Sequence, residues 1–188
     1  MVSQGQSTRV VYVMGPSGAG KDSVLRYARR ELDGRYPVLF AHRYITRPQG
    51  DDIEDYIALS PGEFELRLAH GLFAFDWDAY GWRYGIGAEV DLWCAAGLTV
   101  VVDGSRQHFL KHRAALTQVL PVHITAPAET LKQRLIARER ETPAAIEKRL
   151  ERSAALQPVA PTLVTIDNGG PLEVAGSAFA TLLRQLAG

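Results

Sequence analysis

Apolar strand runs alternating with helix-period segments predict an α/β fold, a mostly parallel sheet flanked by helices. The runs Arg9–Met14, Val38–His42, Leu98–Asp103, Val122–Thr125 and Leu163–Asp167 are separated by helical patterns at about 22–33, 87–97, 106–117, 127–140, 143–157 and 171–187. Leu98-Thr99-Val100-Val101-Val102-Asp103 stays apolar until its last residue, as a central strand buried on both faces does. A glycine-rich stretch stands directly between the first strand and the first helix.

In chain order, residues 1–7 read as a frayed terminus. The first strand ends at Met14 and is followed by Gly15-Pro16-Ser17-Gly18-Ala19-Gly20-Lys21-Asp22-Ser23. Strand, glycine-rich loop and helix start make the context of a phosphate-binding P-loop. Gly15, Gly18 and Gly20 let backbone N–H groups turn inward around a β-phosphate, and the helix aims its positive dipole end at the same anion. Lys21 bridges the β- and γ-phosphates in this arrangement. Val24, Leu25, Ala28 and Leu32 continue with helical spacing. Residues 15–23 are therefore expected to bind a nucleoside triphosphate. Asp22 stands where a Ser or Thr hydroxyl ordinarily ligates Mg²⁺, and Ser23 comes one step later. A carboxylate also serves this hard ion, directly or through water, although an acidic residue equally suits the first turn of a helix.

Residues 44–86 break the alternation with Gly, Pro and acidic punctuation, a short helix near 61–71 and aromatic strands around Phe73–Trp77 and Trp82–Ile86. They are expected to form a compact inserted lobe after the second strand. Ligands of open α/β sheets sit beyond the carboxyl ends of the strands, so such a lobe is placed to hold an acceptor opposite the P-loop. Further on, Thr142-Pro143 reads as an N-cap followed by proline at the first helical position.

With 188 residues the chain is long enough for one domain with a full core. A hydrophobic content of 46% and a charged content of 22% are those of an ordinary globular protein. A net charge of zero argues against nucleic acid or an anionic membrane as partner. The one cysteine, Cys94, excludes an intrachain disulfide and a cysteine-cluster metal site. No apolar stretch approaches the roughly 20 residues that span a bilayer, and a cytoplasmic location is expected. Of the basic residues 17 are arginine and four lysine, and guanidinium suits bidentate phosphate binding. The five histidines, His42, His70, His108, His112 and His123, have no metal-ligand spacing and read as structural or surface residues.

Several features in order resemble the guanylate-kinase-like branch of the P-loop kinases. They are the loop at 15–21, Thr46-Arg47-Pro48, Asp55-Tyr56, Tyr84-Gly85, the Asp ending the central strand at 103, and Arg134-Leu135 with Arg138. The resemblance runs from about residue 9 to 187. It implies that Arg47 and Tyr56 hold an acceptor phosphate. It further implies a lid at about 136–146, with Arg134 and Arg138 acting on the transferring phosphoryl, Arg149 lining that side and Arg140 beside it. A core of 8–43 and 87–188 would carry the acceptor lobe of about 44–86.

The departures from that family narrow the substrate. Gly50 replaces the second arginine of the acceptor site. The glutamate and hydroxyl that read guanine are matched by Phe75 and Ile86, and no Glu occurs anywhere in 72–86. Hydrocarbon in their place leaves the edge of a base unpaired. The family's Asp-x-Asp has become Asp103-Gly104-Ser105-Arg106, which keeps Asp103 for Mg²⁺ and adds a donor and a cation. Together with Gly-Lys-Asp-Ser in the loop, this resembles the ribose 1,5-bisphosphate phosphokinase family, guanylate-kinase-like enzymes of phosphonate catabolism.

That resemblance implies transfer of the γ-phosphoryl of ATP to the 1-phosphate of ribose 1,5-bisphosphate, giving 5-phosphoribosyl 1-diphosphate (PRPP) and ADP. Mg²⁺ would be served by Asp22 and Asp103, and the acceptor by Arg47, Tyr56, Ser105, Arg106 and Arg149. The partners implied are these small molecules, with no nucleic acid or membrane and a homodimer left open. A phosphate oxygen is already ionised at neutral pH, so alignment and charge neutralisation by Lys21, Mg²⁺ and the arginines suffice, without a general base. Two alternatives stand beside this one. A nucleoside monophosphate kinase would use Asp76 or Asp78 toward a base edge. A non-catalytic binding module of the same fold would typically have lost the loop lysine and the lid arginines, which are present here.

Overall fold

The computed structural model describes residues 9–48, 56–137 and 142–188. In chain order these form β1 (Val10–Met14), α1 (Lys21–Leu32), β2 (Val38–Phe40), β3 (Arg43–Ile45), β4 (Tyr56–Ala58), α2 (Pro61–Ala69), β5 (Phe73–Ala79), β6 (Trp82–Gly87) and α3 (Glu89–Ala95). There follow β7 (Thr99–Asp103), α4 (Arg106–His112), β8 (Val119–Thr125), α5 (Ala128–Ile136), α6 (Pro143–Ala155), β9 (Val164–Asp167) and α7 (Leu172–Ala187). Gly50, Asp55, Arg138 and Arg140, with the middle of the expected lid, lie outside the described residues.

One sheet runs in the order β2-β7-β1-β8-β9, parallel throughout, so β1 and the loop after it occupy its centre. Side-chain alternation on β1 divides the core. Val11 and Val13 pack with Val24, Ala28, Phe179 and Leu183 on the α1–α7 side, while Tyr12 and Met14 pack with Val100, Val102 and Phe109 on the other. β7 is buried at all of its positions, as its unbroken apolar run requires. No helix among the described residues is long and apolar enough to cross a membrane.

A second sheet, β4-β3-β6-β5, forms the inserted lobe, with β5 and β6 as an antiparallel hairpin. Its strands β3 and β4 are three residues each and too short for a periodic signal, and neither was expected from the sequence. The second expected strand, Val38–His42, accordingly stops at Phe40, because the chain leaves the central sheet to start β3 at Arg43. β8 begins at Val119 rather than Val122. Pro121 lies in its first part, which pairs with β1 alone; pairing with β9 starts only at Val122, so a missing N–H is tolerated there. Thr142 caps α6, its hydroxyl accepting from the Ala145 N–H, with Pro143 in the first turn.

Candidate active site

The loop between β1 and α1 is shaped by backbone contacts. The Ala19 N–H donates to the Pro16 carbonyl at 3.1 Å, and Gly20, at φ 75°, is the left-handed residue that starts α1. Gly20 also has no room for a side chain, since a Cβ there would lie 2.5 Å from the Asn168 amide nitrogen. Asn168 donates to the Ala19 carbonyl at 2.7 Å and so ties the loop to the end of β9.

Lys21 Nζ lies 3.0 Å from Asp22 Oδ1 and also against Asp103 Oδ1. Burial works against the ammonium charge, but Asp103 and then Asp22 outweigh it and hold the lysine pKa above its ordinary value. Arg43 closes the group, with Nη1 3.1 Å from Asp103 Oδ2 and Nη2 4.0 Å from Asp22 Oδ1. Two carboxylates therefore converge on one cation at the mouth of the loop. That is a set of hard oxygen donors suited to Mg²⁺.

A cleft of about 490 Å³ opens from this point, lined by the loop, by the lobe and by α6. On the lobe side Arg47 and Tyr56 come together. The Arg47 guanidinium lies 4.8 Å over the Tyr56 ring, its Nε donates to the phenol oxygen at 3.4 Å, and the phenol donates to the Pro48 carbonyl at 2.9 Å. Arg47 lines the cleft while Tyr56 is buried behind it. The wall is aromatic: Trp77 stacks on Tyr84 at 5.6 Å, and Tyr80 and Trp82 stand at the hairpin end. Phe75 and Ile86 are direct cross-strand partners in the β5–β6 ladder. Ile86 is fully buried, and Phe75 meets the Tyr12 ring edge-on at 5.6 Å. Neither side chain lines the cleft; both pack into the core beneath its wall.

The turn after β7 is built on Tyr12. Its hydroxyl accepts from the Ser105 N–H at 3.0 Å and shares a hydrogen bond of 2.9 Å with His108 Nδ1. Burial raises the Tyr12 pKa, and burial followed by the neighbouring His112 lowers that of His108 to about 4, so both stay neutral. Gly104 crosses Tyr12 so closely that a Cβ would lie 2.1 Å from its ring.

Two of the residues expected to contact an acceptor do structural work here. Ser105 Oγ caps α4 by accepting from the His108 N–H at 3.3 Å. Arg106 donates through Nη1 to the Ser153 and Leu156 carbonyls at 3.1 and 3.0 Å, pinning the C-terminal end of α6. Both still line the cleft.

The arginines of the lid side separate. Arg149 reaches the loop, donating to Ser17 Oγ at 3.0 Å, and its guanidinium lies 5.0 Å over the Tyr80 ring. Arg134 instead lies behind the loop, with Nη1 3.4 Å from the Gly18 and Ala19 carbonyls, and it does not line the cleft. The reason is that α5 packs against the outer side of the loop, where the Leu131 carbonyl approaches Gly18. Arg43, Tyr80 and Arg152 were not singled out from the sequence. Arg43 had a signal, as the cation just past the carboxyl end of β2. Tyr80 and Arg152 had none, because only folding brings the hairpin tip onto α6.

A family model described as an AAA domain matches residues 11–154. A protein of Desulfomicrobium baculatum named ribose 1,5-bisphosphate phosphokinase PhnN is 48% identical over 178 residues, covering 95% of either chain. Proteins of the same name from Burkholderia pseudomallei and Thiobacillus denitrificans are 48% and 44% identical, covering 95% and 93% of this chain and 97% and 92% of their own. Among solved structures, a guanylate kinase from Anaplasma phagocytophilum superposes with a TM-score of 0.67 at 16% identity, covering 96% of this chain and 87% of its own. An unliganded sugar kinase from Janibacter sp. HTCC2649 does so at 0.52 and 23%, covering 96% of this chain and 99% of its own. These two share the fold. The chain is a kinase on the guanylate-kinase-like P-loop fold, and it belongs to the ribose 1,5-bisphosphate phosphokinase family.

Proposed function

We propose that this chain transfers the γ-phosphoryl group of ATP to the 1-phosphate of ribose 1,5-bisphosphate, forming 5-phosphoribosyl 1-diphosphate and ADP in phosphonate degradation. What carries this is similarity over almost the whole length, 48% identity across 95% of both chains, to a relative bearing that enzyme's name. The cleft supports it, with a triphosphate loop on one side and an arginine-rich, aromatic wall on the other. An oxygen of the 1-phosphate attacks the γ-phosphorus, the bond to the β–γ bridging oxygen breaks, and ADP leaves with that electron pair. The attacking oxygen is already anionic, so the protein's task is alignment and charge neutralisation.

Residues 15–23 cradle the triphosphate in this account. Lys21 leaves its carboxylates for the β- and γ-phosphates, Arg149 and Arg138 serve the lid side, and Arg134 braces the loop from behind. Arg47, backed by Tyr56, grips the acceptor phosphate, and Ser105 and Arg106 border the acceptor. Asp22 and Asp103 would hold Mg²⁺, which neutralises charge on the phosphates when bound. We place the reaction in the cytoplasm and treat residues 1–188 as one domain, with its lobe at about 44–86 and its lid at about 136–146. ADP release measured against ribose 1,5-bisphosphate, GMP and other nucleoside monophosphates tests the assignment. The bisphosphate should lead in kcat/KM by about 100-fold or more, the discrimination expected when a site leaves the polar edge of a competitor unpaired. A lead for GMP overturns it.

A further inference from the structure

Given the reading above that the acceptor is a pentose with two phosphates, we propose that Arg152 forms the subsite for the phosphate that does not react. Tyr80 and Gln107 hold Arg152 in place for this task. A second phosphate entering a partly closed cleft needs cationic donors of its own, because a desolvated anion left without them is costly. Arg47 and the P-loop lie at the reacting end. Arg152 enters the same cleft from α6, beside Arg106 and Gln107 at the start of α4.

Its guanidinium is fixed from two sides. One nitrogen donates to Gln107 Oε1 at 2.8 Å, and the plane lies 5.0 Å over the Tyr80 ring. Among the described residues neither Arg152 nor Arg106 has a carboxylate within ion-pair distance. Burial lowers the Arg106 pKa to about 10; the neighbouring Tyr80 opposes this and the Arg152 charge adds to it. Two neighbouring guanidinium groups without an acid make a place that an anion would relieve.

The support beneath Arg152 is also unusual. Tyr80 is the only described residue other than glycine with a positive φ, 54°, at the tip of the β5–β6 hairpin. A tyrosine there is strained relative to Gly or Asn, and such strain concentrates where a side chain is needed. What this conformation achieves is to lay the ring against Arg149 and Arg152 together. Arg106 completes the support by pinning the end of α6 that carries Arg152. Trp77 and Trp82 line the cleft beside these cations and offer apolar faces for the sugar.

The test compares three ligands on wild type and Arg152→Ala. Ribose 1,5-bisphosphate carries both phosphates. Ribose 1-phosphate, followed as a poor substrate or a competitive inhibitor, carries only the reacting one. Ribose 5-phosphate, followed as a competitive inhibitor and by calorimetry, carries only the remote one. In Arg152→Ala the KM for the bisphosphate should rise about 10- to 100-fold, the range for losing a charge-assisted contact, with kcat within about threefold. Ribose 5-phosphate binding should weaken by a similar factor, while ribose 1-phosphate should change less than about twofold. Arg152→Lys should restore part of the loss, because a point charge keeps the attraction without the planar fork.

Equal losses for ribose 1-phosphate and the bisphosphate, or an unchanged KM for the bisphosphate, would overturn the subsite. An unchanged ATP dissociation constant verifies that each variant is folded. If Arg152→Ala fails that check, Arg152→Gln is judged by the same outcomes. Should wild type fail to turn over the bisphosphate, the proposed function falls, and calorimetry with ribose 5-phosphate still decides the subsite. Loss of its binding in the variant supports the subsite, and equal binding removes it.

Discussion

The two sides of the cleft are built by different means. The donor side is one contiguous stretch, residues 15–23, whose backbone amides and glycine conformations make the site. The facing wall, which we assign to the acceptor, is assembled from side chains on separate segments: Arg43 and Arg47 on and beside β3, the Trp77–Tyr84 hairpin, the turn at Ser105, and Arg149 and Arg152 on α6. A backbone cradle reads a group common to all nucleoside triphosphates and leaves few positions free to vary. A wall of side chains can change its substrate at a handful of positions without disturbing the sheet. Tyr80 and Trp82 at the hairpin end are such positions, lining the cleft outside the buried core.

The largest expected effect breaks the donor side alone. Lys21→Ala should lower kcat by about 10²–10³-fold or more, as loss of a donor aimed at developing charge does. The fold should survive, because Asp103 keeps Arg43 at 3.1 Å and is not left as a bare buried charge. Thermal melting run beside turnover checks both halves; unchanged turnover in a folded variant would remove Lys21 from the mechanism.

Acidification should act through two buried imidazoles. His108 under the acceptor wall and His123 on β8 both have pKa values lowered to about 4, from burial first, then from His112 and from Arg106 respectively. As pH falls below about 6.5 the unfolded chain takes up these protons first, so stability drops progressively toward pH 4 and then levels off. The loss is at most about 3 kcal/mol for each residue. Urea unfolding at pH 7, 5.5 and 4 measures it, and His108→Gln should flatten part of the slope. An identical slope in the variant would assign the loss elsewhere.

Gly104→Ala should sharpen the comparison where the sides meet. Its Cβ would lie 2.1 Å from Tyr12 Cζ, an overlap that costs about 1–3 kcal/mol and moves Asp103 and Ser105 as well. Stability should return in part when Tyr12→Leu is added, since the ring is what the methyl meets. A fully stable single variant would show that the turn relaxes freely.

Arg47→Lys should raise the acceptor KM about tenfold, with the ATP KM unchanged, because a point cation cannot reproduce a guanidinium stacked on Tyr56. A silent substitution would move the phosphate grip to Arg43. The smallest expected effect is that of Asp22→Asn: a rise of a few-fold in the Mg²⁺ concentration giving half-maximal rate, as one carboxylate of the pair loses its charge. An unaltered Mg²⁺ profile would leave Asp22 as a helix-start residue only.

The α/β class, the fully buried interior strand Thr99–Asp103, the phosphate loop and the cap at Thr142 were legible from the sequence because each is encoded within a few neighbouring residues. Periodicity, glycine spacing and a capping hydroxyl act over one strand or one turn of helix, so the local pattern is the cause and can be read directly. The direction of a long side chain is not local. Arg134 and Arg149 both stand on helices of the lid side, yet one lies behind the loop and the other reaches Ser17. Packing of α5 and α6 made that choice. Ser105 and Arg106 carry donors suited to an acceptor, but the fold engages them with α4 and with the end of α6. Tyr80 and Arg152 are 72 positions apart in the sequence and meet at 5.0 Å. The residues themselves declare which chemistry is available. Where that chemistry points depends on contacts between distant segments, which exist only once the chain has closed its core.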